Sequence, residues 1–323
     1  MAFRQTFRRI VLVCVFFGLL SGIALSPLVF YLNSRVPGAP PEAGRVLDYY
    51  HFHWDLWWLR YAVLNGEDIW YTNKVLAPFT HNLTYHSLTA SMLPFYLLLE
   101  PLLGHLRAAN TIIWISLTLT GVLMYALLRS QKISRPTALL GGIALGMSPY
   151  MLDHAGSGHL NLITVWWIPM VLYAWERTRR ALNIRWAVLT GLIVWGMWFT
   201  DTLIVFWGGL LLGPYALYSL IWARDRRARF RLIVIGGLAL VITVVLAWFL
   251  GPLRQTLDFD TSQLPPARLL TLRHYSLSFE SLFVPQPGGG RGIRTEHDET
   301  LGFSMVVLVW AAVIGGAWRV WSG

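Results

Sequence analysis

Charged residues are scarce in this sequence, and cysteine is nearly absent. Only 13% of the 323 residues are charged, whereas 55% are hydrophobic. Apolar stretches of roughly 18 or more residues recur along the chain, as they do in polytopic helical membrane proteins. A soluble α/β enzyme would carry more charge and shorter apolar stretches. The single cysteine, Cys14, excludes an intramolecular disulfide. The sequence therefore predicts an all-α, polytopic membrane protein.

Eight apolar segments are expected to cross the membrane. They are residues 10–32, 109–128, 136–151, 161–175, 186–200, 202–222, 232–251 and 302–318. The first follows the basic stretch MAFRQTFRRI. We expect it to be a retained anchor, because it is too long for the apolar part of a signal peptide and no A-x-A site follows it.

The net charge is +10, and the basic and acidic residues are distributed unequally between the two sides of these spans. Sixteen basic and two acidic residues fall on one side, and ten basic and fourteen acidic residues fall on the other. By the positive-inside rule the first side is cytoplasmic, and the N-terminus lies there. The basic excess is thus a topology signal, and no nucleic-acid partner is expected.

This topology leaves three outer regions in one transmembrane domain, residues 1–323. They are a long first loop (33–108), a short second turn (152–162) and a third loop (251–301). The apolar segment 87–104 lies inside the first loop and is interrupted by Pro94, Glu100 and Pro101. We expect it to be a non-spanning or re-entrant helix in the outer headgroup layer, since counting it as a span would invert the charge sorting.

The segment DYYHFHWDLWW, residues 48–58, is the densest group of titratable and aromatic residues. Asp48 is either a general base for an acceptor hydroxyl or a solvated helix cap. Asp55 lies seven residues on and shares its helical face. His51 and Asp55 have an acceptable but unspecific spacing for two metal ligands, so no metal site is predicted. The tryptophans and tyrosines are typical of an interfacial belt.

Two later segments add candidates on the outer side. The turn LDHAGSGHLNL contributes Asp153, His154 and His159, among small residues that let a ligand approach the backbone. Asp201 lies in WFTDTL where two spans meet, either as a functional ionisable residue or as a turn residue.

The third outer loop is rich in arginine and histidine. Arg291 and Arg294 are the candidates to stabilise a phosphate, because guanidinium groups bind phosphate oxygens bidentately. The competing interpretation is a solvated loop whose cations are balanced by nearby acidic residues.

The ordered motifs resemble the C-type (GT-C) membrane glycosyltransferases, in a bacterial branch. The resemblance rests on DYYHFHWDLWWLRYAVLNG, the stretch 78–86, GMSPYMLDHAGSGHLNL, WFTD and SFESLFVPQP. It implies a polyprenyl-phosphate-linked sugar donor, with Asp48 as the catalytic base and Asp153, His154 and His159 facing the same cavity. The tandem DE motif of several members is missing, which leaves Asp55 as a rival base. The further spans or C-terminal domain of many members are also missing, which is consistent with a C-terminal truncation.

Two functions are therefore expected. The first is an inverting transferase that passes a sugar to a hydroxyl of a lipid, polysaccharide or protein acceptor, without requiring a metal or other cofactor. Its expected substrate-binding residues are Asp55, His51, Asp153, His154, His159, Asp201, Arg291 and Arg294. The second is a non-enzymatic membrane protein, either a lipid or sugar transporter or a cell-envelope scaffold that binds membrane lipids.

Cysteine labelling from outside the cell distinguishes these two functions. The transferase predicts that cysteines at positions 48, 153, 159 and 201 share access to one outer cavity. A transporter places its ionisable residues at mid-bilayer on broken helices, so residues sealed at the membrane midplane would favour transport over the transferase.

Overall fold

The computed structural model describes residues 2–37, 48–75 and 77–258, and these are mostly helical. The α-helices are α1 (Ala2–Ala24), α2 (Asp48–Asn65), α3 (Leu93–Leu103), α4 (His105–Ser130), α5 (Arg135–Gly146), α6 (Pro149–Ser157), α7 (Trp167–Ala181), α8 (Ile184–Thr200), α9 (Thr202–Ile221), α10 (Arg226–Phe249) and α11 (Leu253–Asp258). Two-residue strands β1 (Tyr71–Thr72) and β2 (His81–Asn82) pair antiparallel between α2 and α3.

Four helices in this part of the chain are long and apolar enough to cross a membrane. They are α4, α9, α10 and the Phe7–Ala24 portion of α1. The other helices that fall on expected spans are shorter, and the expected span 302–318 lies outside the described residues. The first expected span extends too far, because α1 ends at Ala24 and Pro27 follows soon after. Proline lacks an amide hydrogen and disfavours helical backbone in the residue before it.

The expected outer turn at residues 152–162 is wrong in its first half, which is helical. Ser148 caps α6 by accepting a hydrogen bond from the backbone N–H of Met151, and Pro149 occupies the first turn. Gly158 ends α6 with a φ of 75°, a left-handed conformation that favours glycine. Asp153 and His154 therefore project from a helix, and His159 follows directly after its end.

The apolar segment 87–104 forms a single-turn 3₁₀ helix, Ala90–Met92, followed by α3. The 11 residues of α3 span about 16 Å, roughly half the hydrocarbon thickness of a bilayer. A helix of this length does not cross the membrane by itself.

One end of the helix bundle is formed by the C-termini of α1 and α8 and the N-termini of α4 and α9. We call it the histidine end. Asn110 on α4 donates to the backbone carbonyls of Leu32 and Arg35, both at 2.8 Å, and so holds the chain that follows α1. The Asn161 amide donates to Asp201 at 2.8 Å, and so joins the segment before α7 to the start of α9.

The opposite end, which we call the arginine end, is formed by the C-termini of α4, α7 and α9. Gln131 donates to the Tyr215 hydroxyl at 3.3 Å and accepts from Arg180 at 3.4 Å. Glu176 is fully buried there, and Arg179, Arg180 and Tyr215 all contact its carboxylate. The basic residues that followed alternate spans in the sequence therefore gather at this end.

Close helix packing depends on glycine where α8 crosses α10. A Cβ atom added at Gly191 would lie 2.6 Å from the Ala239 carbonyl oxygen. The same contact region holds a hydrogen bond of 3.0 Å from the Thr243 hydroxyl to the Gly191 carbonyl. Small residues allow this backbone approach, which drives helix association in lipid through packing and polar contacts.

We expect Gly191→Ala to destabilise the protein by about 1–3 kcal/mol, because the methyl group forces α8 and α10 apart. The matched control is Gly237→Ala on α10, where an added Cβ meets nothing within 4 Å. That variant should be unchanged or stabilised by up to about 1 kcal/mol through helix propensity. Unfolding midpoints in detergent, followed by circular dichroism, measure both, and equal midpoints for the two variants would contradict the packing argument.

Candidate functional site

Helix α2 carries the 48–58 segment and divides its titratable residues between two faces. Asp48, His51 and Asp55 have i, i+3 and i+7 spacing, which aligns them along one side. Tyr49 and His53 lie four residues apart on a second, buried side. The first face therefore contacts one set of partners, and the second face contacts another.

Asp48 begins α2 and presents an exposed carboxylate that a histidine holds. Its side chain is 58% exposed, and Asp48 Oδ2 lies 3.2 Å from Nε2 of the buried His159. The other ring nitrogen of His159, Nδ1, lies 2.8 Å from Nδ1 of His154. The result is a line of one carboxylate and two imidazoles from solvent into the protein. An acidic residue in a first helical turn is also favoured by the helix dipole, so both expected roles of Asp48 fit its position.

The inner imidazole of this line, His154, stays neutral at physiological pH. Burial, and then the nearby His159, lower the pKa of His154 to about 4. A neutral His154 can accept a hydrogen bond from His159 at Nδ1. His159 can donate to Asp48 and to His154 together only when it carries both ring protons. One imidazole thus contacts both the exposed Asp48 carboxylate and the buried His154.

Asp55 is almost fully buried, at 1% exposure, and its two carboxylate oxygens contact two histidines. His86 Nε2 is 2.7 Å from Asp55 Oδ1, and His51 Nε2 is 3.1 Å from Asp55 Oδ2. The two imidazole rings stack, with centroids 3.9 Å apart. Burial lowers the pKa of His51, but its contact with Asp55 and the charges of Asp55 and Asp48 outweigh burial and raise the pKa above its ordinary value. Asp55 is thus buried and paired, which makes it a poorer rival to Asp48 as an accessible base.

The second face of α2 forms a buried polar chain that sequence reasoning missed. His53 Nδ1 lies 3.3 Å from the Tyr49 hydroxyl and 2.9 Å from His105 Nε2 at the start of α4. Nδ1 of His105 lies 2.5 Å from the Tyr96 hydroxyl of α3. Burial, and then His105, lower the pKa of His53 to about 3, so His53 is neutral. The only signal in the sequence was the unusual density of histidine and tyrosine in the first outer loop.

Asp201 has the structural role that its turn position indicated. Its Oδ1 accepts from the backbone N–H of Leu203 at 2.7 Å and caps α9, while Oδ2 accepts from Asn161. Asp201 also lines a small cavity of about 70 Å³, together with His86 and Trp70. His86, which the sequence placed only inside the 78–86 motif, therefore connects the Asp55 cluster to the Asp201 cavity.

The remaining site residues differ in what the structure shows of them. Asp153 is partly buried on α6, while Arg291 and Arg294 lie outside the described residues. His159 and Asp201 are buried, so of the four labelling positions, position 48 reports outer access most directly.

No known protein-family model and no curated protein sequence matches this chain.

The lowered pKa of His154 predicts a loss of stability in mild acid. The pKa of His154 is about 6.5 in the unfolded chain and lower in the folded protein, so protonation favours the unfolded chain. The contribution of His154 to stability is therefore complete above pH 6.5 and is lost as the pH drops toward 4. Between pH 7.5 and 5.5, this histidine should cost about 1–1.5 kcal/mol of unfolding free energy. His154→Gln should remove that part of the pH dependence, measured as denaturation midpoints in detergent.

The control for this measurement is His81→Gln, which removes an exposed histidine on β2. It should retain the pH dependence of the parent protein. The same acid loss in His154→Gln as in the parent would contradict a neutral, buried His154.

Proposed function

We propose that this protein is a multi-pass glycosyltransferase of the cytoplasmic membrane whose active face is extracytoplasmic. In this proposal the chain crosses the membrane eight times, with residues 302–318 as the last crossing. Its N-terminus lies in the cytoplasm. The proposal is supported by the alternating direction of successive helices. Because of it, arginines lie at one end of the bundle, and titratable histidines and aspartates lie at the other. The positive-inside rule makes the arginine end cytoplasmic.

The observation that carries the proposal is the exposed Asp48 carboxylate held by His159 at the histidine end. Asp48 takes the proton from an acceptor hydroxyl while the hydroxyl oxygen attacks the anomeric carbon of the donor. The bond from that carbon to the phosphate oxygen breaks, and a polyprenyl phosphate leaves with the electron pair. Attack from the side opposite the leaving group inverts the anomeric configuration.

The neighbouring residues serve this reaction by position and charge. His159 orients the Asp48 carboxylate, and the neutral His154 keeps His159 in place. His51 lies further along the same face of α2, where it borders the acceptor or the sugar, and the buried Asp55 holds the His51 ring from within. Arg291 and Arg294 remain the proposed groups that stabilise the leaving phosphate. The acceptor is a hydroxyl of a lipid, polysaccharide or protein, and the proton transfer itself needs no cofactor.

The transporter alternative is less well supported by the described residues. Transporters place ionisable groups near mid-bilayer, where half-helices meet. Here Asp48, His159 and Asp201 lie at the beginnings of helices or in the segments that join them. The distribution favours chemistry at a membrane surface over passage through the membrane.

We expect Asp48→Asn to lower turnover by about 10²–10⁴-fold, because the amide cannot accept the proton. The measurement is release of polyprenyl phosphate by the purified protein from a panel of lipid-linked sugars. The matched control is Glu67→Gln, an exposed carboxylate two residues beyond α2, which should leave turnover unchanged. Parent-level turnover in Asp48→Asn would exclude Asp48 as the base, and no release by the parent protein from any donor would exclude the transferase.

A further inference from the structure

We propose that His51, Asp55 and His86 form a zinc site, separate from the Asp48 base. Each residue offers one ligand atom, and these atoms lie within 4.8 Å of one another. Helix α2 supplies His51 and Asp55, and the segment after β2 supplies His86. The proposal is independent of the transferase reaction, since it concerns what these three side chains bind.

The first support is the state of the buried polar atoms. His51 Nε2 and Asp55 Oδ2 are both buried, and neither makes a hydrogen bond of acceptable geometry within the described residues. They are nevertheless only 3.1 Å apart. A buried charged oxygen without a hydrogen bond is costly, and a cation between a carboxylate and an imidazole removes that cost.

The second support is the type of ligand. Two imidazole nitrogens and one carboxylate oxygen are a ligand set that zinc accepts at about 2.0–2.2 Å, with a fourth position left for water. His86 also lines the 70 Å³ cavity beside Asp201, and that volume exceeds the space one water molecule needs. His86 therefore borders a space that can hold the water ligand of a four-coordinate zinc.

Metal binding requires one local adjustment. The His51 and His86 rings are stacked, with an interplanar angle of 4°, so their Nε2 atoms do not converge on a single point. A turn about χ2 brings them together, and this torsion is broad for histidine. The competing explanation is a carboxylate that bridges two histidines without a metal, and it predicts no stoichiometric metal binding.

Cobalt(II) is the probe that separates these explanations. The 323-residue protein, with Cys14→Ser, is purified in detergent, stripped with a chelator and titrated with Co²⁺. The expected result is one equivalent per chain, with the visible absorption of four-coordinate cobalt. His51→Ala and His86→Ala should each weaken binding by about 100-fold or more, because even the loss of an outer-shell partner costs about 10–100-fold. His81→Ala removes an exposed histidine of β2 and should bind as the parent does.

His86→Cys tests the same ligand without relying on a loss of signal. A thiolate at position 86 should retain cobalt and add a sulfur-to-cobalt charge-transfer band in the near ultraviolet. Metal analysis of the untreated protein should find zinc rather than iron. No stoichiometric cobalt binding, binding that survives both alanine variants, or a cysteine variant without the charge-transfer band would each overturn the proposal.

Discussion

The docking of α2 onto the histidine end is the interaction on which the rest of the site depends. Four of its side chains make polar contacts with four other segments: Asp48 with His159, His53 with His105, Asp55 with His86, and Arg60 with Glu100. The hydrophobic residues of the same helix supply the burial, with Leu56 and Trp58 at 1% exposure or less. Apolar contact drives the association but tolerates sliding, whereas paired carboxylates and imidazoles specify one register.

Charged residues are separated between the two ends of the bundle, and this separation determines which groups surround α2. Hydrocarbon cannot solvate ionised groups, so membrane helices keep such groups at their ends or in mutual contact. At the arginine end the buried Glu176 is satisfied by Arg179, Arg180 and Tyr215. At the histidine end, carboxylates contact imidazoles: Asp48 contacts His159, and the buried Asp55 contacts His51 and His86. The buried His53 and His154 stay neutral there. One end therefore anchors the bundle, and the other has groups that can exchange protons.

Much of this arrangement follows from local sequence patterns. Apolar length predicted the long helices, and the helical period placed Asp48, His51 and Asp55 on one face. Ser148 and Pro149 also indicate the start of α6, but the small residues that follow favoured the interpretation as a turn. A cap and a first-turn proline outweigh the weak helix propensity of single glycines.

The partners of α2 could not be predicted in the same way. His86 lies 31 residues from Asp55, and His105 lies 52 residues from His53. Such contacts depend on how the hairpin of β1 and β2 and the short α3 fold back over α2. No periodicity within either segment encodes that tertiary path. Asp201 shows the converse, because its capping role is local and the sequence already offered it as one interpretation.

The most direct measurement is an experimental structure in lipid nanodiscs with a bound polyprenyl-phosphate sugar. We expect the sugar beside Asp48 and the phosphate at the level of the histidine end, with the lipid chain running between helices toward the arginine end. A sugar bound at mid-bilayer, or at the arginine end, would contradict a surface reaction organised by α2.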